Sequence, residues 1–106
     1  MIDISQIYEF GRRIGREFHA IKVVLFGSYA QGRPNRDSDV DILVILPFEG
    51  KSVYQSVRMR LQRRPPFPVD LIVWTPKQVR DRLKMGDSFI REVLEEGKVL
   101  YEADRR

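Results

Sequence analysis

Cysteine is absent from this chain of 106 residues, and histidine occurs only once. Without cysteine the protein forms no disulfide and no thiolate metal site. No apolar run approaches the roughly 18 residues of a membrane-spanning helix, and the N-terminus lacks a secretory pattern, so we expect a cytoplasmic protein. Internal repeats and low-complexity segments are also missing. The length predicts one domain, over residues 1–106, with a core of its own.

Basic residues exceed acidic ones, 19 to 15, which gives a formal net charge of +4. A positive surface attracts an anionic nucleotide or an acidic protein, and by itself it does not indicate nucleic-acid binding. Part of the excess lies at the end of a helix predicted over Lys51 to Gln62. We expect its apolar stripe to pack against the protein and its arginines to form a solvated face, with docking of a partner as the alternative. The stripe is Val53, Tyr54, Val57 and Leu61, and the arginines are Arg58, Arg60, Arg63 and Arg64.

The most informative segment is a predicted strand, Lys22 to Phe26, that runs into Gly27 and Ser28. Glycine lets the backbone turn sharply and approach a polyphosphate without a side-chain collision. Ser28 adds a hydroxyl and an amide at the start of a predicted helical turn, where free N–H groups favour an anion. Gly32 ends this turn, and a polar loop with two arginines follows. The segment therefore predicts a phosphate-binding turn.

Two carboxylates, Asp39 and Asp41, head the next predicted strand. Side chains alternate along a strand, so both are expected on one face, roughly 6 to 7 Å apart at their Cα atoms. Clustered carboxylates repel one another unless a cation lies between them, and magnesium prefers carboxylate and phosphate oxygens. The pair therefore predicts a metal-bound nucleoside triphosphate, and hence nucleotidyl transfer.

A third carboxylate, Asp70, lies near the start of the predicted strand from Val69 to Trp74. It completes a two-ion site if this strand lies beside the one that follows Asp39 and Asp41. The residues after the acids are apolar on both faces in both strands. We therefore expect interior strands of a covered sheet, with the acids at one exposed end.

The order Gly27-Ser28, Gly32, Ser38-Asp39-Val40-Asp41 and a later Asp70 resembles the minimal nucleotidyltransferase (MNT) domains of the DNA polymerase β-like superfamily, of the MntA-like antitoxin type. The resemblance extends over nearly the whole chain, because its ending is also similar. It implies an α+β fold, in which a small mixed sheet is packed by helices in a two-layer α/β arrangement. One departure is Gln31, where many relatives have arginine, and it removes one phosphate contact.

The same resemblance implies roles for individual residues. Gly27 and Ser28 would bind the triphosphate of ATP, and Asp39, Asp41 and Asp70 would be catalytic and hold two Mg²⁺ ions. It also implies a partner, a HEPN-domain toxin. The chain would then be the antitoxin of a toxin–antitoxin pair and would transfer AMP to a tyrosine of that toxin.

Other functions fit parts of the sequence. The chain would also silence a toxin by binding alone, or transfer a nucleotide to a small molecule, although a small-molecule enzyme needs a substrate domain or a dimer interface that this length does not supply. Two aromatic residues have two interpretations each. Tyr29 lines a nucleotide pocket or packs on the sheet, and Trp74 stacks on a base or belongs to the core or its rim.

Overall fold

Five helices and four strands alternate along residues 1–104, the part of the chain that the computed structural model describes. In chain order they are α1 (Ile4–Glu17), β1 (Lys22–Phe26), α2 (Gly27–Ala30), β2 (Val40–Ile45), α3 (Ser52–Gln62), β3 (Val69–Trp74), α4 (Pro76–Lys84), α5 (Ser88–Glu96) and β4 (Lys98–Glu102). No helix within these residues is long and apolar enough to cross a membrane.

The strands form one mixed sheet in the order β3-β2-β1-β4. β1 is antiparallel to both of its neighbours, whereas β2 and β3 are parallel and are connected through α3. The expected α+β fold with a small mixed sheet packed by helices is confirmed. The prediction of two interior strands is correct for β2 and wrong for β3, which lies at the edge of the sheet. The apolar residues of β3 indicate that helices or loops pack on both faces of this strand. They do not indicate whether another strand pairs with its free edge.

Helices cover both faces of the sheet, and successive side chains of each strand pack against the helices on opposite faces. Val23 and Leu25 belong to the cluster that includes the α1 residues Ile7, Phe10 and Ile14. The intervening residue Val24 belongs to the opposite cluster, with Leu43 and Ile45 of β2, Val79 of α4, and Ile90 and Val93 of α5. The acids of interest must therefore lie on one or the other of these covered faces.

Helix α1 lies unusually close to β4 because it has glycine at two contact positions. A Cβ added to Gly11 would stand 2.5 Å from the Cβ of Leu100, and one added to Gly15 would stand 2.2 Å from the ring of Tyr101. Asp3 caps the helix by accepting a hydrogen bond from the Ser5 amide, as its position predicts. The helix therefore forms despite two residues of poor helix propensity, since close packing replaces what propensity lacks.

Helix α3 is oriented opposite to the prediction. The apolar residues expected to pack inward are all exposed, and among its residues only Met59 is buried. The side facing the protein is mostly polar, and it bonds to the edge of β3 through Ser56 and Arg60. The prediction of an inward apolar stripe is wrong because an edge strand presents free carbonyl groups, which polar side chains satisfy and apolar ones do not.

Candidate functional site

The turn after β1 brings backbone directly against a carboxylate. Gly27 follows Phe26, and Phe26 is paired with Asp41 across the antiparallel β1–β2 ladder. Gly27 has a φ of +76°, and a Cβ at this position would lie 2.2 Å from the Asp41 Oδ2. Both the left-handed backbone and the close approach require glycine here. The predicted Gly-Ser turn and the predicted acid are therefore in contact.

Asp41 and Asp70 lie opposite one another in the parallel β2–β3 register. Residues paired in this way project to the same face of the sheet. Within each strand the next residues of the same alternation, Leu43 in β2 and Ile72 in β3, contact the cluster formed with α4 and α5. The two carboxylates therefore share the α4–α5 face, next to each other at the end where both strands begin.

Asp39 lies one residue before β2 and is exposed, as is Asp70, whereas Asp41 is half-buried. Burial raises the pKa of the Asp41 carboxyl above its ordinary value, and the nearby carboxylates of Asp70 and Asp39 raise it further. The carboxylates of Asp39 and Asp70 therefore both disfavour ionisation of Asp41, which lies between them.

The chemistry of these side chains fits a hard divalent cation, since they offer only carboxylate oxygens and their mutual repulsion would be relieved by positive charge. Within residues 1–104, however, no group of three or more His, Cys, Asp or Glu side chains is assembled closely enough to hold a metal ion. The magnesium role of Asp39, Asp41 and Asp70 therefore stays a prediction. To bind one metal ion together, these carboxylates would have to move closer to one another, and Asp39 and Asp70 are exposed.

The segment after Gly27 has the predicted form. Ser28 is half-buried within α2, a single helical turn, and Gly32 follows it with a φ of +72°. Tyr29 is 6% exposed, and its hydroxyl accepts a hydrogen bond from the Ile2 amide at 3.1 Å. Of its two interpretations, packing on the protein is therefore confirmed. Arg33 is exposed in the loop beyond Gly32.

An aromatic cluster near the acids was missed in the sequence. Phe89, in α5, makes edge-to-face contacts with Phe26 and Trp74 at centroid distances of 5.4 and 5.9 Å. The guanidinium of Arg82 lies 4.7 Å from the centroid of the Trp74 ring. Trp74 thus belongs to the rim of the core, one of the two interpretations open to it. No sequence signal connects Phe26 with Phe89, because the contact depends on how α5 returns to the sheet.

A cavity of about 190 Å³ adjoins the turn and is lined in part by Phe26, Gly27 and Phe89. Two carboxylates, Glu92 and Glu96, also line it. Their negative charge disfavours an unaccompanied phosphate in the cavity.

Solved structures of other proteins share this arrangement of strands and helices. A Sulfolobus solfataricus protein described as a "putative nucleotidyltransferase" superposes with a TM-score of 0.61 at 23% identity, covering 92% of this chain and 78% of that one. A toxin–antitoxin structure with AMP-PNP superposes with a TM-score of 0.56 at 22% identity, covering 93% of this chain and 74% of that one. At these identities the likeness shows the fold.

Sequence comparison identifies the family. A Methanocaldococcus jannaschii protein named "Putative protein adenylyltransferase" is 35% identical over 80 residues, which cover 76% of this chain and 77% of that protein. The nucleotidyltransferase domain family matches residues 7–100, a range that contains the glycine turn and all three acids. The chain therefore belongs to the nucleotidyltransferase domain family, and the expectation of a nucleotidyltransferase enzyme is confirmed.

Proposed function

We propose that this chain transfers AMP from ATP to a tyrosine hydroxyl of a HEPN-domain toxin, and that it acts as the antitoxin of that toxin. The observation that carries the proposal is the contact of Gly27 with Asp41, which lies directly opposite Asp70. A turn able to bind phosphate and a carboxylate pair able to hold cations occur here within a few ångströms of one another.

In the proposed reaction the tyrosine oxygen attacks the α-phosphorus of ATP. The new bond joins this oxygen to phosphorus, the bond between the α-phosphorus and its bridging oxygen breaks, and pyrophosphate leaves with the electron pair. The hydroxyl proton passes to Asp70 or to water beside it, because Asp70 is exposed at the open end of the strands. The amides of Gly27 and Ser28 bind the leaving phosphates.

Magnesium is the cofactor that the family resemblance implies, and Asp39, Asp41 and Asp70 are the residues that would hold two ions. When bound, these ions would lower the pKa of the acceptor hydroxyl and neutralise charge on the leaving phosphates. The carboxylates themselves are placed by the sheet, because Asp41 and Asp70 are fixed by the β2–β3 register. Their repulsion supports a cation-dependent site.

The acceptor is proposed to be a protein on two grounds. The similar M. jannaschii protein is named for transfer of an adenylyl group to protein. A structural neighbour is a toxin–antitoxin structure with AMP-PNP, which supports both ATP as donor and a toxin as partner. The reaction requires ATP and an RNA-cleaving partner in one compartment, so we place it in the cytoplasm.

The test is to incubate the purified protein with α-labelled ATP, Mg²⁺ and a HEPN-domain toxin from the same genome. We expect label on the toxin and loss of its ribonuclease activity. Asp41→Asn should lower labelling about 100-fold or more, because it removes a proposed ligand charge while preserving side-chain shape. Asp37→Asn is the matched control, since it makes the same change in the loop before Asp39 and should leave labelling unchanged.

Peptide mapping of the labelled toxin would identify the modified residue, and replacing that tyrosine with phenylalanine should remove the label. A tight complex that silences the toxin without labelling it would show an antitoxin that acts by binding alone. Label on a small-molecule hydroxyl in place of the toxin would show a small-molecule nucleotidyltransferase. Full labelling by Asp41→Asn would refute the assigned site.

A further inference from the structure

Helix α3 exposes an apolar surface that the rest of the protein does not use. We define the α3 outer face as Val53, Tyr54, Val57 and Leu61, whose exposed fractions are 68%, 63%, 48% and 77%. These positions are spaced by about one helical turn, so they form a continuous stripe. An exposed stripe of this kind on a small protein is typical of an interaction surface.

The opposite side of α3 fixes this orientation. The Ser56 hydroxyl donates to the Leu71 carbonyl at 2.8 Å, and the Arg60 guanidinium donates to the Val69 carbonyl. Successive carbonyls of a strand point to opposite sides. The Trp74 carbonyl accepts a hydrogen bond from the amide of Leu46, just after β2, so the carbonyls of Val69 and Leu71 point the other way, to the free edge. α3 thus covers the free edge of β3 with polar groups. Rotating the helix to bury its stripe would leave those edge carbonyls without partners.

Two further contacts restrict α3. Met59 is fully buried in the core, and Arg63, which follows the helix, forms a two-pronged ion pair with Glu17 of α1. Hydrogen bonds, a buried side chain and an ion pair therefore define one rotation of the helix. The outward apolar stripe is a consequence of this fold.

The charge around the α3 outer face selects the kind of partner. Residues 51–69 contain no aspartate or glutamate, and three of their cations, Lys51, Arg58 and Arg64, are exposed. Arg58 is exposed on the outer side of α3, and Arg64 is exposed just beyond its end. A second copy of this chain, packed face to face, would bring these cations against each other. A partner with carboxylates around an apolar centre would match both the stripe and its charge.

The position of α3 relates its outer face to the proposed reaction. α3 runs back along β3, so that Arg60 lies level with Val69, the residue before Asp70. The outer face is on the far side of this helix from β3, so a partner that extends past α3 would reach the end of β3 at which Asp70 is exposed. Such docking would hold an acceptor hydroxyl of the partner near the site. Holding the two reactants in position would raise the rate of transfer.

We propose that the α3 outer face is the docking surface for the protein that receives AMP, and that this partner presents an apolar surface surrounded by aspartate and glutamate. This inference rests on the proposed function, because it takes the acceptor to be a protein. It adds a specific surface, a specific partner chemistry and a reason for the inverted helix.

The test uses the full chain and the HEPN-domain toxin named above as the probe, with affinity measured by calorimetry. The double substitution Val57→Asp with Leu61→Asp should raise the Kd for the toxin about 100-fold or more, since it places two charges at the centre of the contact. Met85→Asp is the matched control, because Met85 is 81% exposed and lies outside the face, and its Kd should be unchanged. Binding of Mg²⁺ and ATP should be the same for all three proteins.

Separate outcomes test the two proposals. Wild-type protein that binds the toxin through α3 without labelling it would refute AMP transfer and leave the docking surface intact. Labelling with equal affinity in wild type and the double variant would refute the docking surface and leave AMP transfer intact. If the wild type labels the toxin without binding that calorimetry detects, the docking surface is refuted and AMP transfer stands.

Sedimentation velocity and an RNA-binding assay distinguish other occupants of the face. A wild-type dimer that the double substitution dissociates would assign the face to a second copy and overturn the proposal. Binding of RNA that is lost with the double substitution would also overturn it. Arg58→Glu should weaken toxin binding at low salt more than at high salt, as expected for an acidic partner.

Discussion

Gly27 and Asp41 approach so closely that a side chain on the first would occupy the space of the second: a Cβ at position 27 would lie 2.2 Å from the Asp41 Oδ2. The contact joins the end of β1 to the start of β2, which are paired antiparallel at this point. The glycine turn and the central acid of the proposed site are therefore one structural unit, and each constrains the other.

Gly27→Ala is expected to abolish AMP transfer and to lower stability. Alanine at a φ of +76° costs about 1–2 kcal/mol, and its Cβ also displaces the Asp41 carboxylate. Gly32→Ala is the matched control, because Gly32 has a φ of +72° with no atom within 4 Å of an added Cβ. Both variants should unfold earlier in urea, and only Gly27→Ala should lose transfer. Equal transfer by the two variants would contradict the proposed role of this contact.

Asp70→Asn should stabilise the metal-free protein while removing its activity. Asp70 faces Asp41 directly across β2 and β3, and like charges in such pairs cost roughly 0.2–1 kcal/mol. Thermal unfolding without divalent ions should therefore move upward in the variant. Mg²⁺ with ATP should stabilise the wild type and have little effect on the variant. A lower unfolding temperature for metal-free Asp70→Asn would show that the carboxylates do not repel one another.

Gly11→Ala should destabilise the fold by about 1–3 kcal/mol through overpacking. The new Cβ would lie 2.5 Å from the Leu100 Cβ, an atom held by the β4 backbone, so α1 must move away from the sheet. The higher helix propensity of alanine opposes this loss by at most about 1 kcal/mol. Arg12→Ala, at the neighbouring exposed position, should change the unfolding free energy by less than about 0.5 kcal/mol. A Gly11→Ala protein more stable than the wild type would show that the helix yields without cost.

Glu17→Gln should destabilise the protein in a pH-dependent way. The hydrogen bond from Arg63, with the positive charge of that residue, lowers the pKa of Glu17 below its ordinary value of 4.5. A lowered pKa in the folded state means that the carboxylate stabilises the fold above pH 4.5 and loses this contribution as the pH falls through the lowered value. The difference between wild type and variant in urea unfolding should thus be constant near neutral pH and vanish in acid.

Glu95→Gln serves as the control for this series, since Glu95 is exposed on α5 and has no ion pair with Arg63. Its unfolding free energy should parallel that of the wild type at every pH. A Glu17→Gln difference that persists undiminished well below pH 4.5 would assign the loss to packing and not to the ion pair.

Much of the site could be predicted because its signals are local. Gly27-Ser28 after a strand, Asp39-x-Asp41 before a strand and Asp70 at the start of another are spacings set by backbone geometry within a few residues. The cap at Thr75 with Pro76 is likewise local, and the structure contains it as a capping box with Gln78. The aromatic contact of Phe89 with Phe26 had no such signal, because it depends on where a distant helix packs.

The sequence by itself determined the elements of this protein, the glycine turn, and the three acids at strand starts, since these follow from periodicity and from backbone conformations available to each residue type. Only the tertiary structure decided that Asp41 faces Asp70, that Gly27 touches Asp41, and that α3 faces outward. Strand pairing selects which distant residues become neighbours. The carbonyls at the free edge of β3 accept hydrogen bonds from Ser56 and Arg60, so the polar side of α3 faces the sheet and its apolar residues lie outward.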